Sequence, residues 1–277
     1  MRLRKDPLEV GLLQEAVDLT HRAFEDVVRA LPGCRSERDV ELAFFQRARR
    51  EGNDTGYPTI AAAGSHATIM HWSHNTGELR FGELLLLDAG VETNRYYTAD
   101  ITRTLPISGR FTPTQRRVYE LVWRAQQAGF AAVRPGADFQ ESNRAAQAVL
   151  AQGLAEMGLL SVGPEEALRP ESQLHRRYTI HGVSHMLGLD VHDCANSRQE
   201  MYPEGKLEIG MVLTVEPGLY FQPHDATVPA ELRGIGVRIE DDVVVTENGC
   251  EVLSRNLPSQ IDEVERWMAA LWESAPS

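Results

Sequence analysis

Two aspartates that flank an apolar, strand-forming segment constrain the fold of this chain more than any other feature. Residues 84–104 have the sequence LLLLDAGVETNRYYTADITRT, in which four leucines lead into Asp88 and Asp100 follows twelve positions later. A continuous apolar run of this length predicts a buried strand. The stretch 96–104 is rich in strand-forming residues and predicts an antiparallel partner beyond a polar turn. The two carboxylates therefore belong to paired strands.

Carboxylates at the ends of buried strands are costly unless a positive charge compensates them. Only Arg95 and Arg103 lie near them in the sequence. One explanation is that one or two metal ions supply the charge. The other is that Asp88 caps a turn and Asp100 faces solvent, and this segment alone does not decide between them.

Length and composition exclude several classes of protein. The chain has 277 residues, of which 42% are hydrophobic and 25% are charged, as in ordinary globular proteins. A net charge of −12 argues against nucleic acid or an anionic membrane as the partner. The first twenty residues lack the apolar core of a secretory signal, and no apolar stretch is long enough to span a membrane. Three widely spaced cysteines predict free thiols in a reducing compartment, so we expect a cytoplasmic protein.

Helical and strand-like segments occur in the same order twice, over residues 1–105 and 106–277. Periodicity and breakers predict helices over 8–31, from Ser36 to Gly52, from Pro113 to Arg134, from Asp138 to Gly158, and over 260–272. Three helix starts have a predicted N-cap with a partner three residues later, namely Ser36 with Asp39, Thr112 with Gln115 and Asp138 with Glu141. Strands are predicted over 57–63, 67–72, 84–88, 96–104, 211–215 and 234–245, and a surface loop over 161–174. Such a repeat would place two β-hairpins opposite each other.

Five residues of metal-ligand type lie beside apolar strands. They are Asp88, Asp100, His185, Glu216 and Glu240. Four carboxylates and one imidazole form a hard, oxygen-rich set that suits Mn²⁺, Fe²⁺ or Co²⁺ better than a thiolate zinc site does. Four negative charges nearly balance two dications. Two such ions about 3.5–4 Å apart can share and activate one hydroxide.

Strand periodicity gives two further residues a supporting role. Arg238 lies two positions before Glu240 and Thr102 lies two after Asp100, so each pair shares a face of its strand. Both side chains can orient ligand carboxylates by hydrogen bonds.

Each of these residues also has an ordinary structural interpretation. His185 could be a hydrogen-bonded core histidine, Glu216 could end a strand before Pro217, and Arg238 with Glu240 could be a structural ion pair. His71, His181 and His192 could be surface residues. The metal hypothesis depends on the conjunction of five ligand-type residues with three more histidines in two short stretches.

Five segments carry a specific resemblance to a known family. They are IMHWSHNTGELRFGELLLLDAG, TADITRTLP, HGVSHMLGLDVHD, LTVEPGLYF and LRGIGVRIEDDVVVTENG. With them the chain resembles the catalytic domain of the Xaa-Pro aminopeptidase and prolidase group of metallopeptidases, family M24. The resemblance implies the α+β pita-bread fold, in which two pseudo-symmetric halves form a curved antiparallel sheet covered by helices. We expect residues 1–277 to be one such domain, with no separate N-terminal domain.

The resemblance also implies a role for each site residue. Asp88 would chelate one metal, Asp100 and Glu240 would bridge both, and His185 and Glu216 would complete the shell of the other. Glu216 would in addition handle the proton of the bridging hydroxide. His71 and His192 would stabilise the scissile carbonyl and the tetrahedral intermediate. His181 would line the proline pocket. Arg238 and Tyr57 would contact ligands or substrate.

The activity implied is hydrolysis of the bond between an N-terminal residue and a following proline, by a hydroxide that bridges two metal ions. Mn²⁺ is the expected metal, and Co²⁺, Fe²⁺ and Zn²⁺ stay open. The substrates would be peptides with proline at the second position. An Xaa-Pro dipeptidase and a catalytically silent binding module are the alternatives. Creatinase-like hydrolases lack the full ligand set, and methionine aminopeptidases have different His and Glu motifs.

The chain departs from the family pattern in one local feature, because the spacing from Asp88 to Asp100 is one residue longer than usual. The extra residue can lie in the turn at 93–95 without moving either ligand. The N-terminal domain of such enzymes contributes to their oligomers. Its expected lack here leaves a homo-oligomer open.

Overall fold

The computed structural model describes residues 2–274, which form six α-helices and ten β-strands. The helices are α1 (Pro7–Ala30), α2 (Glu37–Glu51), α3 (Pro113–Ala132), α4 (Gln140–Glu156), α5 (Pro164–Leu168) and α6 (Ile261–Glu273). The strands are β1 (Asp54–Thr55), β2 (Ile60–Ala63), β3 (Leu84–Ala89), β4 (Val91–Glu92), β5 (Ile101–Pro106), β6 (Val212–Val215), β7 (Gly218–Tyr220), β8 (Gly236–Arg238), β9 (Asp241–Thr246) and β10 (Gly249–Val252). No helix within 2–274 is long and apolar enough to cross a membrane. The three cysteines are free thiols, as predicted.

Side-chain caps set the start of three of the long helices. The hydroxyls of Ser36 and Thr112 accept a hydrogen bond from the backbone amide three residues later, and the side-chain oxygen of that residue accepts one from the amide of the cap. Both capping boxes confirm the predictions. Asp6 caps α1 in the same way with Glu9. The cap predicted at Asp138 is wrong, because its carboxylate pairs with Lys206 and Arg144 instead.

The first half packs α1 and α2 beside an antiparallel sheet in the order β2–β3–β5. The leucine strand and its antiparallel partner are therefore confirmed. In this register Asp88 lies opposite Thr102 on one side and Ile60 on the other. Asp100 immediately precedes β5, so both aspartates reach the same end of the sheet.

The second half repeats this plan with α3, α4 and the antiparallel sheet β10–β9–β6, and β7 pairs with β8. The halves meet at an isolated bridge in which the Glu240 amide donates to the Thr102 carbonyl at 3.1 Å. The predicted loop over 161–174 contains the short helix α5. Pro164 at its first position and two glutamates in its first turn favour that helix.

The strand predicted over 67–72 is wrong. A 3₁₀ turn at Gly64–Thr68 is followed by an irregular loop that continues to β3. The buried Glu37 accepts hydrogen bonds from the amides of Ala63 and Gly77 at the two ends of this excursion. These contacts hold the segment against Glu37, so residues 67–72 do not pair with a strand of the sheet.

The guanidinium of Arg103 is completely buried between the acidic strands and the approach to α6. It forms an ion pair with Asp241 at 2.6 Å. Its other N–H groups donate to backbone carbonyls at 2.8–3.0 Å, on Thr102, Glu240, Leu257 and Pro258. A buried charge satisfied in this way is tolerated, and it links three separate segments.

Candidate metal centre

One cavity of about 390 Å³ gathers all ten residues to which the family resemblance assigns a role. Its walls include Tyr57, His71, Asp88, Asp100, His181, His185, His192, Glu216, Arg238 and Glu240. A larger cavity of about 1130 Å³ lies along the N-terminal segment and β9, and none of the ten lines it. Chemistry rather than size therefore marks the candidate site.

Strand ends deliver the four carboxylates from both halves of the fold. Asp88 lies near the end of β3, Asp100 just before β5, Glu216 just after β6, and Glu240 between β8 and β9. Ligand atoms of Asp100, Glu240 and His185 lie within 4.8 Å of one another. Two sequence-distant strand pairs thus converge on one small volume.

His185 presents one ring nitrogen to this cluster. Its Nδ1 lies 3.1 Å from the Met186 carbonyl, which can only accept, so Nδ1 carries the proton and Nε2 faces the carboxylates. Nε2 is 3.2 Å from Asp100 and 3.5 Å from Glu216. Burial opposes the imidazolium, but the hydrogen bond with Asp100 and the charge of Glu216 outweigh it and raise the pKa of His185 to about 9.

Arg238 is the buried cation beside the acids, and it comes from the other half of the chain. It forms an ion pair with Asp88 and donates to the hydroxyls of Thr102 at 3.1 Å and Tyr220 at 3.0 Å. Thr102 in turn donates to Glu240 at 2.6 Å. Each side chain thus contacts a ligand carboxylate, as expected, but that carboxylate comes from the opposite half of the chain rather than from two positions away.

The acids carry more negative charge than their neighbours neutralise. Burial, which dominates in each case, raises the pKa of Asp88, raises that of Glu216 to about 7 and raises that of Glu240 well above its usual range. Arg238 lowers each of these pKa values, but less than burial raises them. A hard, oxygen-rich set of this kind fits divalent cations, which would replace protons as the counter-charge.

Tyr57 lies against both first-half aspartates. Its hydroxyl is 2.7 Å from Asp88 and also within hydrogen-bond reach of Asp100, so the single proton can serve either carboxylate. Burial and the charge of Asp100 raise the pKa of Tyr57 well above its usual range. Its protonated phenol is thus a fixed donor at the cavity wall.

Two partners hold His181 as a neutral ring. Nδ1 lies 2.7 Å from the Gly182 carbonyl, and Nε2 lies 2.7 Å from the Tyr220 hydroxyl. Burial, followed by the charge of Arg238, lowers the pKa of His181 to about 3. An uncharged imidazole suits a wall that contacts an apolar group.

His71 lies exposed on the loop over Glu37, and the neighbouring Trp72 is anchored. Glu37 Oε1 accepts from the Ala63 amide and His66, and Oε2 accepts from the Trp72 indole and the Gly77 amide, all at 2.6–2.8 Å. The His66 ring stacks on Trp72 with centroids 3.9 Å apart. A fully buried carboxylate thus holds the loop that carries His71.

His192 approaches the cluster from a second loop. It is exposed on one side, and its ring meets that of His185 edge-on, with centroids 4.5 Å apart. The structure therefore brings both outlying histidines to the cavity edge. The roles of all ten residues stay predictions.

Besides Glu37, two residues next to the cluster have supporting contacts that were not predicted from the sequence. Tyr220 joins His181 to Arg238, and Asp242 accepts the backbone amide of Asp100 at 3.1 Å. Asp242 is fully buried, and burial raises its pKa well above the usual range. The Glu-Asp-Asp run inside an apolar strand was a signal for Asp242, whereas nothing local distinguishes Tyr220.

Comparison with known proteins agrees with this geometry. A sequence profile of metallopeptidase family M24 matches residues 11–247. Xaa-Pro aminopeptidase 1 of Streptomyces coelicolor is 60% identical over 272 residues, which are 98% of this chain and 55% of that protein. The chain thus spans about half the length of this relative.

Solved structures show the same architecture. Aminopeptidase PepP of Pseudomonas aeruginosa superposes with a TM-score of 0.91 at 39% identity, over 99% of this chain and 61% of that one. A zinc-substituted aminopeptidase P of Escherichia coli in complex with product gives 0.89 at 39%, over 98% and 60%. These matches confirm the predicted α+β pita-bread fold.

Proposed function

Because the chain belongs to metallopeptidase family M24, we propose that it is the catalytic domain of an Xaa-Pro aminopeptidase. It would remove the first residue from peptides whose second residue is proline. The supporting observation is the convergence of all ten predicted residues on one cavity. The domain assignment, residues 1–277 as a single catalytic unit, is part of this proposal.

Asp88, Asp100, His185, Glu216 and Glu240 would hold two divalent metal ions, with Mn²⁺ as the proposed metal. When bound, such ions act as Lewis acids and lower the pKa of water into the neutral range. Asp100 lies between other members of the set, since it shares the Tyr57 hydroxyl with Asp88 and groups closely with His185 and Glu240. This position supports a bridging role for Asp100.

Glu216 is the proposed proton carrier. One of its oxygens faces His185 at 3.5 Å, and the other faces His181 at the same distance. From there its carboxylate can accept a proton from the attacking water and pass it to the leaving nitrogen of proline.

The histidines would orient the substrate. His71 and His192, exposed at the cavity edge, can donate hydrogen bonds to the carbonyl oxygen as it gains negative charge. The neutral His181, fixed by Tyr220, would line the site for the proline ring.

A matrix of metals and peptides tests the proposal. Purified protein is loaded separately with Mn²⁺, Co²⁺, Fe²⁺ or Zn²⁺ and assayed on Ala-Pro-Ala, Ala-Pro and Ala-Ala-Ala. Cleavage of Ala-Pro-Ala before proline supports an aminopeptidase, and cleavage of Ala-Pro alone would indicate a dipeptidase. Folded, metal-loaded protein that cleaves none of them would contradict the proposal and favour a silent binding module. Light scattering on the same sample measures whether the protein is a homo-oligomer.

A further inference from the structure

A buried ion pair connects the start of the chain to the loop that carries His192. Lys5 Nζ lies 3.0 Å from Asp193 Oδ2, and both side chains are about 1% exposed. The two residues are 188 positions apart. A buried pair of this kind is costly to break, because either charge left alone stays desolvated.

Lys5 is itself fixed by the backbone. Its amide donates to the Gly210 carbonyl at 2.7 Å, and the neighbouring Arg4 bridges to Met211 at the start of the β6 region. The ammonium group therefore projects from a segment attached to the second sheet. The Lys5 ammonium is therefore fixed in position and can hold the loop that carries His192.

Asp193 contacts several parts of the loop besides Lys5. Its other oxygen accepts from Arg2, and its amide donates to the Met186 carbonyl at 2.9 Å. Gly188 lies so close that a Cβ there would be 2.4 Å from Asp193 Oδ2 and 3.0 Å from Lys5 Cε. The loop is closed tightly around the ion pair.

The backbone beyond Asp193 carries strain. Cys194 has a φ of 57°, in the left-handed region that non-glycine residues seldom adopt. Strained residues of this kind persist only where the surrounding structure enforces the conformation. His192 lies immediately before the anchored aspartate, and its ring contacts that of the candidate ligand His185.

We propose that Lys5 is a positioning residue for His192. The Lys5–Asp193 pair holds the loop 188–194 so that the His192 ring stands at the edge of the cavity against His185. Lys5 does not line that cavity, so it would act on the reaction only through the loop. The kinetic part of this inference rests on the proposed peptidase function, and the structural part does not.

The first test compares two adjacent residues. Lys5→Met removes the buried charge and keeps the apolar stem, whereas the control Arg4→Met removes an exposed charge that pairs with Glu208. Crystal structures should show His192 displaced from His185 in Lys5→Met and unmoved in Arg4→Met. If His192 keeps its place in Lys5→Met, the proposal is overturned, whatever reaction the protein catalyses.

The second test is a kinetic cycle with His192→Ala, run on Ala-Pro-Ala with metal content measured for each variant. We expect Lys5→Met to lower kcat/KM by about 10–100-fold with the metal retained, as small displacements of catalytic groups do. In the His192→Ala background the same change should have little further effect. Equal effects in both backgrounds would show that Lys5 is only structural. No activity in the metal-loaded, unsubstituted protein, with His192 displaced in Lys5→Met, would refute the peptidase and leave the positioning role standing.

A third variant covers the outcome in which Lys5→Met does not fold. Asp193→Asn keeps the shape of the side chain and removes the charge, so Lys5 loses its ionic partner without a cavity. We expect the same displacement of His192 and the same dependence on that ring. An Asp193→Asn protein with an unmoved His192 and unchanged kcat/KM would contradict the proposal.

Discussion

The acidic strands and the histidine loops place their side chains by different means. The carboxylates of Asp88 and Glu240 stand on or beside paired strands, whose backbone ladders set their positions. His71 and His192 stand on irregular loops. The residue after His71, Trp72, donates to the buried carboxylate of Glu37. The residue after His192, Asp193, is itself a buried carboxylate and pairs with Lys5. Local secondary structure thus positions the candidate carboxylate ligands, whereas long-range polar contacts fix the histidines that would contact substrate.

Among the substitutions considered, we expect the largest loss of metal binding and activity at the ligands positioned by the strands. Asp100→Ala removes the proposed bridging ligand, so we expect loss of metal binding and of activity. Metal affinity and activity should each fall by more than the roughly 100-fold that removal of a residue hydrogen-bonded to a ligand costs. Metal analysis and kinetics would measure both quantities, with the exposed Asp262→Ala as control. Near-normal activity of the Asp100→Ala protein would refute the bridging role.

A smaller effect is expected at the His71 loop. Glu37→Gln replaces one carboxylate oxygen by an amide, which would face two N–H donors in either orientation. We expect a loss of about 1–3 kcal/mol in the free energy of unfolding. The reduction in kcat/KM should be about 10-fold or more, with metal content unchanged.

Urea unfolding, kinetics and metal analysis on the Glu37→Gln protein measure these quantities. Loss of metal from this variant would mean that the loop and the strands are not independent. The distinction between the two regions would then fail.

Metal affinity should rise with pH. In the metal-free protein burial raises the pKa of Glu216 to about 7, so below that pH a metal ion must displace its proton. Glu216 should lower the apparent affinity about 10-fold per pH unit below 7, and the imidazolium of His185, with a pKa of about 9, should add a further dependence that continues above pH 7. Titration with Mn²⁺ at pH 6, 7 and 8 measures both contributions. A slope that is equal on the two sides of pH 7 would show that Glu216 does not bind the metal.

The smallest effect is expected at Arg95, a cation close to the aspartates in sequence. It is exposed in the turn after β4, whereas Arg238 forms the ion pair with Asp88. Arg95→Ala should change the free energy of unfolding by no more than about 0.5 kcal/mol. A larger change in stability, or any loss of metal, would show that sequence proximity matters more here than the fold does.

Much of the fold could be predicted because its signals are local. The leucine run, the capping boxes at Ser36 and Thr112, and the glycine and proline breakers specify elements within a few residues. The predicted strand over 67–72 failed because Glu37, some thirty positions away, draws that segment into a loop. The cap at Asp138 failed because Lys206 competes for its carboxylate.

The candidate site divides in the same way. Its ligands could be proposed because charged residues inside apolar strands are conspicuous, and the family resemblance assigned roles to them. The supporting contacts could not be proposed, since Lys5, Glu37 and Tyr220 acquire their significance only from distant partners. Periodicity did predict that Thr102 and Arg238 face the ligands, because a strand places alternate residues on one face, but the carboxylates they contact, Glu240 and Asp88, lie across the two halves.

The bridge between Thr102 and Glu240 also limits how the molecule can move. It joins the two halves by a backbone hydrogen bond inside the acid cluster, and Arg103 holds the carbonyls of both residues. A rotation that moved one half away from the other would therefore disrupt the candidate metal centre. The proposed peptide substrate would then reach the site along the cavity edge that carries His71 and His192. In hydrogen exchange, the Glu240 amide should be among the last to acquire deuterium, released by global unfolding rather than by breathing of the cleft.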